Sequence, residues 1–378
     1  MRAFTLLALA ALFTALYVRR RVRALRRASS VAEEGSFSHP LPHGLPIEKV
    51  AAFLAERDAR EAPLKPGCGS SIGWAPSVGA DNRAHLCVVS LHGWSASPME
   101  VADLDKRVAD GLGAHLLLRV RLTAHGLEPA DRASVALSCA TSRATLQRDA
   151  AIAIALGTTL ADRVVVLGCS TGATLAMWAA AQPWTAGQLA ALVLVSPGFE
   201  IALKGPIAYQ IFKWLVLLLP HLLVVAALRL FVGGRREFHI RPPTVEAHRG
   251  VQRAYWTDRY VVESARHVVE LYAMLEFAVA PSQVATPTLA FACPRDPAVS
   301  FDATARWIRA MPHAELEVVH DAEHLHCLAG ALAPATCEPF ARRAIAFLQA
   351  RAGVHAADGV QMCRSARRRD PISPSRRR

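Results

Sequence analysis

Gly168-Cys169-Ser170-Thr171-Gly172 places a serine between two glycines, directly after the apolar run 164–167 and before a helix-forming stretch over 173–181. The G-x-S-x-G pattern alone is common, and a structural Gly-Ser turn would satisfy it. Its position is the informative part. A serine on a sharp strand-to-helix turn projects its hydroxyl over the end of a sheet, at a helix N-terminus that favours negative charge. A hydroxyl is a weak nucleophile at neutral pH and needs a base, which in turn needs an orienting acid. Asp296 follows the apolar run 288–292 in Cys293-Pro294-Arg295-Asp296-Pro297, where a loop carboxylate can reach an imidazole. Asp302 is the alternative acid and reads better as a helix cap. The base falls within His320-Asp321-Ala322-Glu323-His324-Leu325-His326. His324 lies closer to the strand end expected at Val319, so His324 and His326 both stand as candidates. An acyl-transfer intermediate also needs preset N–H donors for its oxyanion. The backbone N–H of Thr171, next to the serine, is one. The N–H of Trp94, in Leu91-His92-Gly93-Trp94-Ser95, is the other. The chemistry is two-step acyl transfer to water from a carboxylic ester, with no metal or organic cofactor.

These groups need a scaffold that brings distant segments to one edge. Apolar runs at 85–91, 114–122, 163–167, 190–195, 288–292 and 316–319 read as buried strands. Helical spacing appears at 47–60, 104–112, 173–181 and 340–351. Strands separated by helices predict an α/β domain, with a mainly parallel sheet and helices on both faces. Between the fourth and fifth runs lies an insertion, about 200–280. Its apolar part, 206–232, is interrupted by Lys213, Pro220, His221 and Arg229. A membrane span is a poor reading of so broken a segment, and an apolar lid of short helices a better one. Residues 211, 212, 214, 215 and 218 (Ile, Phe, Trp, Leu, Leu) hint at a lipophilic substrate, although such stripes more often pack a core.

The net charge of +12 resembles a nucleic-acid signal until it is located. Residues 1–27 carry seven Arg and no acid, and 364–378 carry seven Arg and one Asp. The body between them is near neutral, so no nucleic-acid partner is expected. Eight Cys occur without a C-x-x-C pair, which implies neither a zinc site nor a disulfide framework. Residues 3–18 are free of charge and run into Arg19, Arg20, Arg21, Arg23, Arg26 and Arg27. At 1.5 Å per residue they reach about 24 Å, a little short of a ~30 Å hydrocarbon core that snorkelling arginines could complete. The expected organisation is therefore a single-pass membrane anchor at 1–27 with its arginines on the cytoplasmic side, a cleaved transit or signal peptide being the alternative. A linker at 28–45, a catalytic domain at 46–352 and a basic, disordered tail at 353–378 follow. The sequence leaves oligomeric state, membrane identity and natural substrate open.

The motifs resemble the α/β-hydrolase superfamily, within its serine esterase, lipase and monoacylglycerol-lipase-like group. His92-Gly93-Trp94-Ser95-Ala96-Ser97 is similar to an HGFSAS loop of mostly uncharacterised members. Ala124-His125-Gly126 resembles their GHG turn with its first Gly replaced. The run 168–176 resembles their G-T-S-T-G-G-T-L-A elbow, with Ala173 for Gly. Tyr255-Trp256-Thr257 resembles a YWT segment in the lid, and His326-Cys327-Leu328-Ala329-Gly330 an HVLAG base motif. The similarity spans roughly 46–350. It implies the α/β-hydrolase fold, favours His326 over His324, and implies an esterase or lipase-like activity on a small-molecule or lipid ester. An acyltransferase using the same Ser170, Asp296 and His326, and a non-catalytic membrane-anchored binding protein, are the competing expectations.

Overall fold

The computed structural model describes residues 15–24, 27, 46–61, 63–74, 83–114, 116–128, 141–203, 206–231, 237–239 and 245–354. A short helix over 15–24 (α1) precedes α2 (Ile47–Ala59), β1 (Ser71–Trp74), β2 (Ala84–Leu91), α3 (Leu104–Gly111) and β3 (Leu116–Val120). Next come α4 (Arg143–Leu160), β4 (Ala161–Cys169), α5 (Thr171–Ala180) and β5 (Leu189–Val195). The insertion holds α6 (Pro206–Leu218), α7 (His221–Phe231), β6 (Glu237–His239), α8 (Glu246–Tyr255), β7 (Arg259–Val261) and α9 (Val262–Ala278). β8 (Thr288–Ala292), α10 (Phe301–Ala310), β9 (Ala314–Val318) and α11 (Cys337–Ala352) close the chain.

Seven strands form one sheet in the order β1-β3-β2-β4-β5-β8-β9, parallel except for the antiparallel edge pair β1/β3. Parallel strands covered on both faces are apolar on both faces, and β4 and β5 show it. Val164, Val166, Leu192 and Leu194 pack into a core with α4, α5 and α9. Their alternating neighbours Val165, Leu167, Val193 and Val195 pack into a second core with α3 and α11. The register pairs Leu91 with Gly168 and Cys169 with Val195, so the carboxyl ends of β2, β4 and β5 finish level. The loops that follow therefore open at one sheet edge, the usual ligand edge of parallel α/β sheets.

The expected strands and terminal helices are present. β1 and α4 were not expected. β1 is a four-residue, mostly exposed edge strand with no apolar run. α4 is Ala-rich and buried around much of its surface, with ten buried residues among its eighteen, so no clean apolar stripe marks it. Ser142 caps it by accepting the Thr145 N–H at 3.1 Å. The insertion breaks where a Pro must break it: Pro220 separates α6 from α7, and its carbonyl accepts from Leu223 and Val224. Lys213 is buried on α6 and donates to both Glu276 carboxylate oxygens at 2.9 and 2.7 Å, tying the insertion to α9. α9 itself buries Leu271, Tyr272, Met274 and Leu275 in the main core.

The expected membrane span gains no support. Among the described residues no helix is long and apolar enough to cross a membrane. The described part of α1 includes Arg19, Arg20, Arg21 and Arg23. It meets the insertion where Arg21 Nε donates to the Leu217 carbonyl at 3.0 Å. Positions 1–14, most of the apolar run, lie outside the described residues, as do the linker at 28–45 and the tail from 355. The domain extends slightly past its expected end at 352. Gly353 closes α11 at φ 57°, and Val354 is buried.

Candidate active site

The two glycines of the elbow are there because backbone occupies the space of a side chain. A Cβ on Gly168 would fall 2.7 Å from Ala173 Cα, and one on Gly172 would fall 2.2 Å from the Leu91 carbonyl oxygen. Between them Ser170 is forced to φ 51°, ψ −116°, a conformation that L residues rarely adopt. Its N–H donates to Val195 O at 2.9 Å, and its own carbonyl accepts from Gly198 N at 3.1 Å. Thr171 is the first residue of α5, so its N–H has no intrahelical acceptor.

Asp296 sits in the turn after β8. Its carboxylate accepts the N–H groups of Ala298 (2.8 Å) and Val299 (3.1 Å), which fix its orientation. It also meets His326: Nδ1 lies 2.8 Å from Oδ2 and 3.1 Å from Oδ1. Burial pulls the His326 imidazole down, but the charge of Asp296 and the bond to it outweigh that, and its pKa ends above the usual value. His324 has different work. Its Nδ1 accepts the backbone N–H groups of His326 (3.2 Å) and Cys327 (2.9 Å), so it braces the loop that carries His326. Burial and the nearby His326 push its pKa down to about 4. Asp302 lies in the first turn of α10, but the cap there is Ser300, which accepts from Ala303 N at 3.2 Å.

The loop after β2 is held by His92. Its Nε2 accepts the Leu122 N–H at 2.9 Å, which leaves the proton on Nδ1, and Nδ1 lies 2.8 Å from the Gly93 carbonyl. The Ala96 N–H donates to the same carbonyl at 3.3 Å. A peptide group is planar, so fixing Gly93 O also fixes the direction of the Trp94 N–H. Burial, then the neighbouring His125, drives the His92 pKa well below its ordinary value and preserves the neutral tautomer that this bonding needs. This loop lies against the elbow: a Cβ on Gly93 would sit 3.0 Å from Ser170 Cβ. Trp94 packs against the buried Tyr260, ring centroids 4.6 Å apart and planes tilted by 34°, and Thr257 N donates to Ser95 O at 2.8 Å. The Tyr255-Trp256-Thr257 segment thus anchors the loop to the insertion, with Trp256 packed on Ala96 and Cys327.

The sequence is matched over residues 88–359 by the alpha/beta hydrolase family. The chain belongs to that family. Among solved alpha/beta-hydrolase structures, one from a study of LipS and LipT, two metagenome-derived lipolytic enzymes, is 18% identical. It gives a TM-score of 0.55 and covers 76% of this chain and 99% of its own. A monoacylglycerol lipase from Paleococcus ferrophilus is 15% identical with a TM-score of 0.51, covering 75% and 98%. A soluble variant of the Saccharomyces cerevisiae monoglyceride lipase is 10% identical with a TM-score of 0.50, covering 75% and 91%. At these identities the likeness is one of fold. No curated protein matches the chain in sequence.

Two alpha/beta-hydrolase site neighbours escaped the sequence. Tyr272, buried on α9, brings its hydroxyl to 3.2 Å from Thr171 Oγ1 and into interaction with Ser170. Burial pushes its pKa up to about 12, so it stays a phenol. Glu100 is a buried carboxylate that accepts the Gly93 N–H at 2.5 Å. Burial raises its pKa, opposed by the Gly93 N–H and by His326. Neither residue sits in a motif; only packing reveals them. Beside the Asp296 loop a cavity of about 580 Å³ opens between β5, the start of α6 and α10. Its apolar walls include Ile201, Leu203, Tyr209, Val299 and Phe301. Among the described residues no His, Cys, Asp or Glu cluster could hold a metal ion.

Proposed function

We propose that the protein is a serine hydrolase that cleaves lipophilic carboxylic esters, with Ser170 as nucleophile, His326 as base and Asp296 as orienting acid. The observation that carries this reading is the Asp296–His326 pair at 2.8 Å, at the same sheet edge as a serine held at φ 51°. His326 takes the Ser170 proton as the hydroxyl attacks the ester carbonyl, and the resulting imidazolium is stabilised by Asp296. The Trp94 and Thr171 N–H groups receive the developing oxyanion. His326 returns the proton to the leaving alcohol, then activates water to release the acid from the acyl-enzyme. His324 is left out of the proton transfers, because its Nδ1 is already committed to two backbone donors.

A lipophilic substrate is supported by the insertion, read here as a lid. Ile207, Ile211, Leu215, Leu222 and Leu223 expose large apolar side chains on α6 and α7. The lipolytic names of the structural neighbours agree with this choice. The test is twofold. Fluorophosphonate should label wild-type protein at Ser170 and leave Ser170→Ala unlabelled, and p-nitrophenyl esters from acetyl to palmitoyl should be turned over with a preference beyond the shortest chains. Folded wild-type protein that neither labels nor hydrolyses any ester would end the proposal.

A further inference from the structure

Glu100 lies in a short 3-10 turn, Pro98–Val101, which directly follows the loop that carries the Trp94 N–H. A carboxylate is expensive to bury, and this one is only 2% exposed. Its surroundings explain how it is retained. Oε2 accepts the Gly93 N–H at 2.5 Å, and Oε1 accepts from the Cys327 thiol at 3.6 Å. The Cys169 thiol is a third donor, and these donors together with His326 counter the burial that raises the pKa of Glu100. Cys169 precedes Ser170, Cys327 follows His326 and Gly93 precedes Trp94, so one side chain touches three of the four segments that the proposed mechanism uses, all but the Asp296 loop. Its backbone adds a fourth tie: Glu100 O accepts from Ala331 N at 3.2 Å, and a Cβ on Gly330 would fall 1.8 Å from that oxygen.

We propose that Glu100 is a positioning residue for acyl transfer, holding the oxyanion loop through Gly93 and presenting a second negative charge to His326. This rests on reading Ser170 and His326 as nucleophile and base. The charged and titratable groups around His326 are Asp296 on the β8 loop, Glu100 on the 3-10 turn, His324 on its own loop, and the flanking thiols Cys169 and Cys327. Of these, Asp296 and Glu100 favour the imidazolium, while burial opposes it.

Two substitutions separate the roles. Glu100→Gln keeps an oxygen for Gly93 but removes the charge. Glu100→Asp keeps the charge but withdraws it by one methylene. The measurements are ring-15N NMR titration of His326 in the full chain, and kcat and KM with a p-nitrophenyl ester. Glu100→Gln should lower the His326 pKa by about half a unit or more, moving the acidic limb of kcat/KM with it. Glu100→Asp should leave that titration near wild type and lower kcat about tenfold, with KM within about twofold. An unchanged His326 titration in folded Glu100→Gln would overturn the proposal. If that variant does not fold, wild-type kcat in folded Glu100→Asp overturns it instead. The NMR readout does not depend on turnover. An inactive wild type whose His326 still responds to Glu100 would refute the hydrolase reading and leave the coupling standing.

Discussion

The carbonyl oxygen of Leu91 stands 2.2 Å from the point where Gly172 would carry a β-carbon. Strand β2 and the Ser170 turn are thus in contact through backbone, and neither can give way without moving a proposed catalytic loop. Gly172→Ala should cost about 3 kcal/mol, the upper end of ordinary overpacking. Gly250 makes the contrast. It lies inside α8 with nothing near its absent side chain, so Gly250→Ala should stabilise by up to about 1 kcal/mol. Urea midpoints for the two variants check both signs, and equal effects would show that the contact is not what constrains Gly172.

His326 and His324 differ in what their ring nitrogens already hold, and substitution should expose the difference. His326→Ala and Asp296→Asn should each lower kcat by about 10⁴-fold, because one removes the base and the other its orienting partner. His324→Ala should cost about tenfold or less, through a loosened loop. Steady-state kinetics with folded variants decide this. A larger loss at His324 than at His326 would reverse the assignment of the base.

In the proposed role of base, His326 must be neutral, and its pKa is raised above the usual 6.5 by Asp296 against the pull of burial. kcat/KM should therefore rise with pH through a limb centred above 6.5. Asp296→Asn should move that limb to lower pH while lowering the plateau. A pH–rate profile whose limb stayed in place in the variant would separate it from His326.

The buried His125 has the opposite sign. Burial holds its pKa down at about 4, so between about 6.5 and 4 the unfolded chain takes up a proton that the folded chain refuses. Its contribution is complete above 6.5 and is lost as pH falls through that window, on the order of 3 kcal/mol. Thermal midpoints recorded from pH 7 to 4 should fall, and His125→Asn should flatten the slope.

Ala124 adopts φ 63°, in the left-handed region where the resembling turn carries Gly. Ala124→Gly relieves the crowding of Cβ but adds freedom to the unfolded chain, for a net gain of up to about 1 kcal/mol. Chemical denaturation measures it. A loss in stability would mean that the Ala124 methyl, fully buried, is worth more as packing than it costs as strain.

The sheet was legible because β2, β4, β5 and β8 are buried on both faces, and their apolar runs carry that fact without help from distant residues. The elbow and the Asp296 loop were legible for a related reason: each follows its strand immediately. The choice between His324 and His326 was not, since loop spacing favoured one and motif likeness the other, and only the Asp296 contact distinguishes them. α4 was hidden by being buried around much of its surface. Tyr272 and Glu100 were hidden because their roles come from side chains meeting across 101 and 227 positions of sequence, to Thr171 and Cys327. Ser300 displaced Asp302 as the cap through a choice of helix start that periodicity leaves uncertain by a residue or two.

The grip of Thr257 on Ser95, with Trp94 lying on Tyr260, sets a boundary on how the insertion can move. Downstream of Tyr255 it is fastened to the very loop that aims an N–H at the oxyanion. Lys65 adds a clasp by donating to the carbonyls of Arg253 and Trp256. In the lid proposed above, this far end of the insertion therefore serves as a fixed jamb.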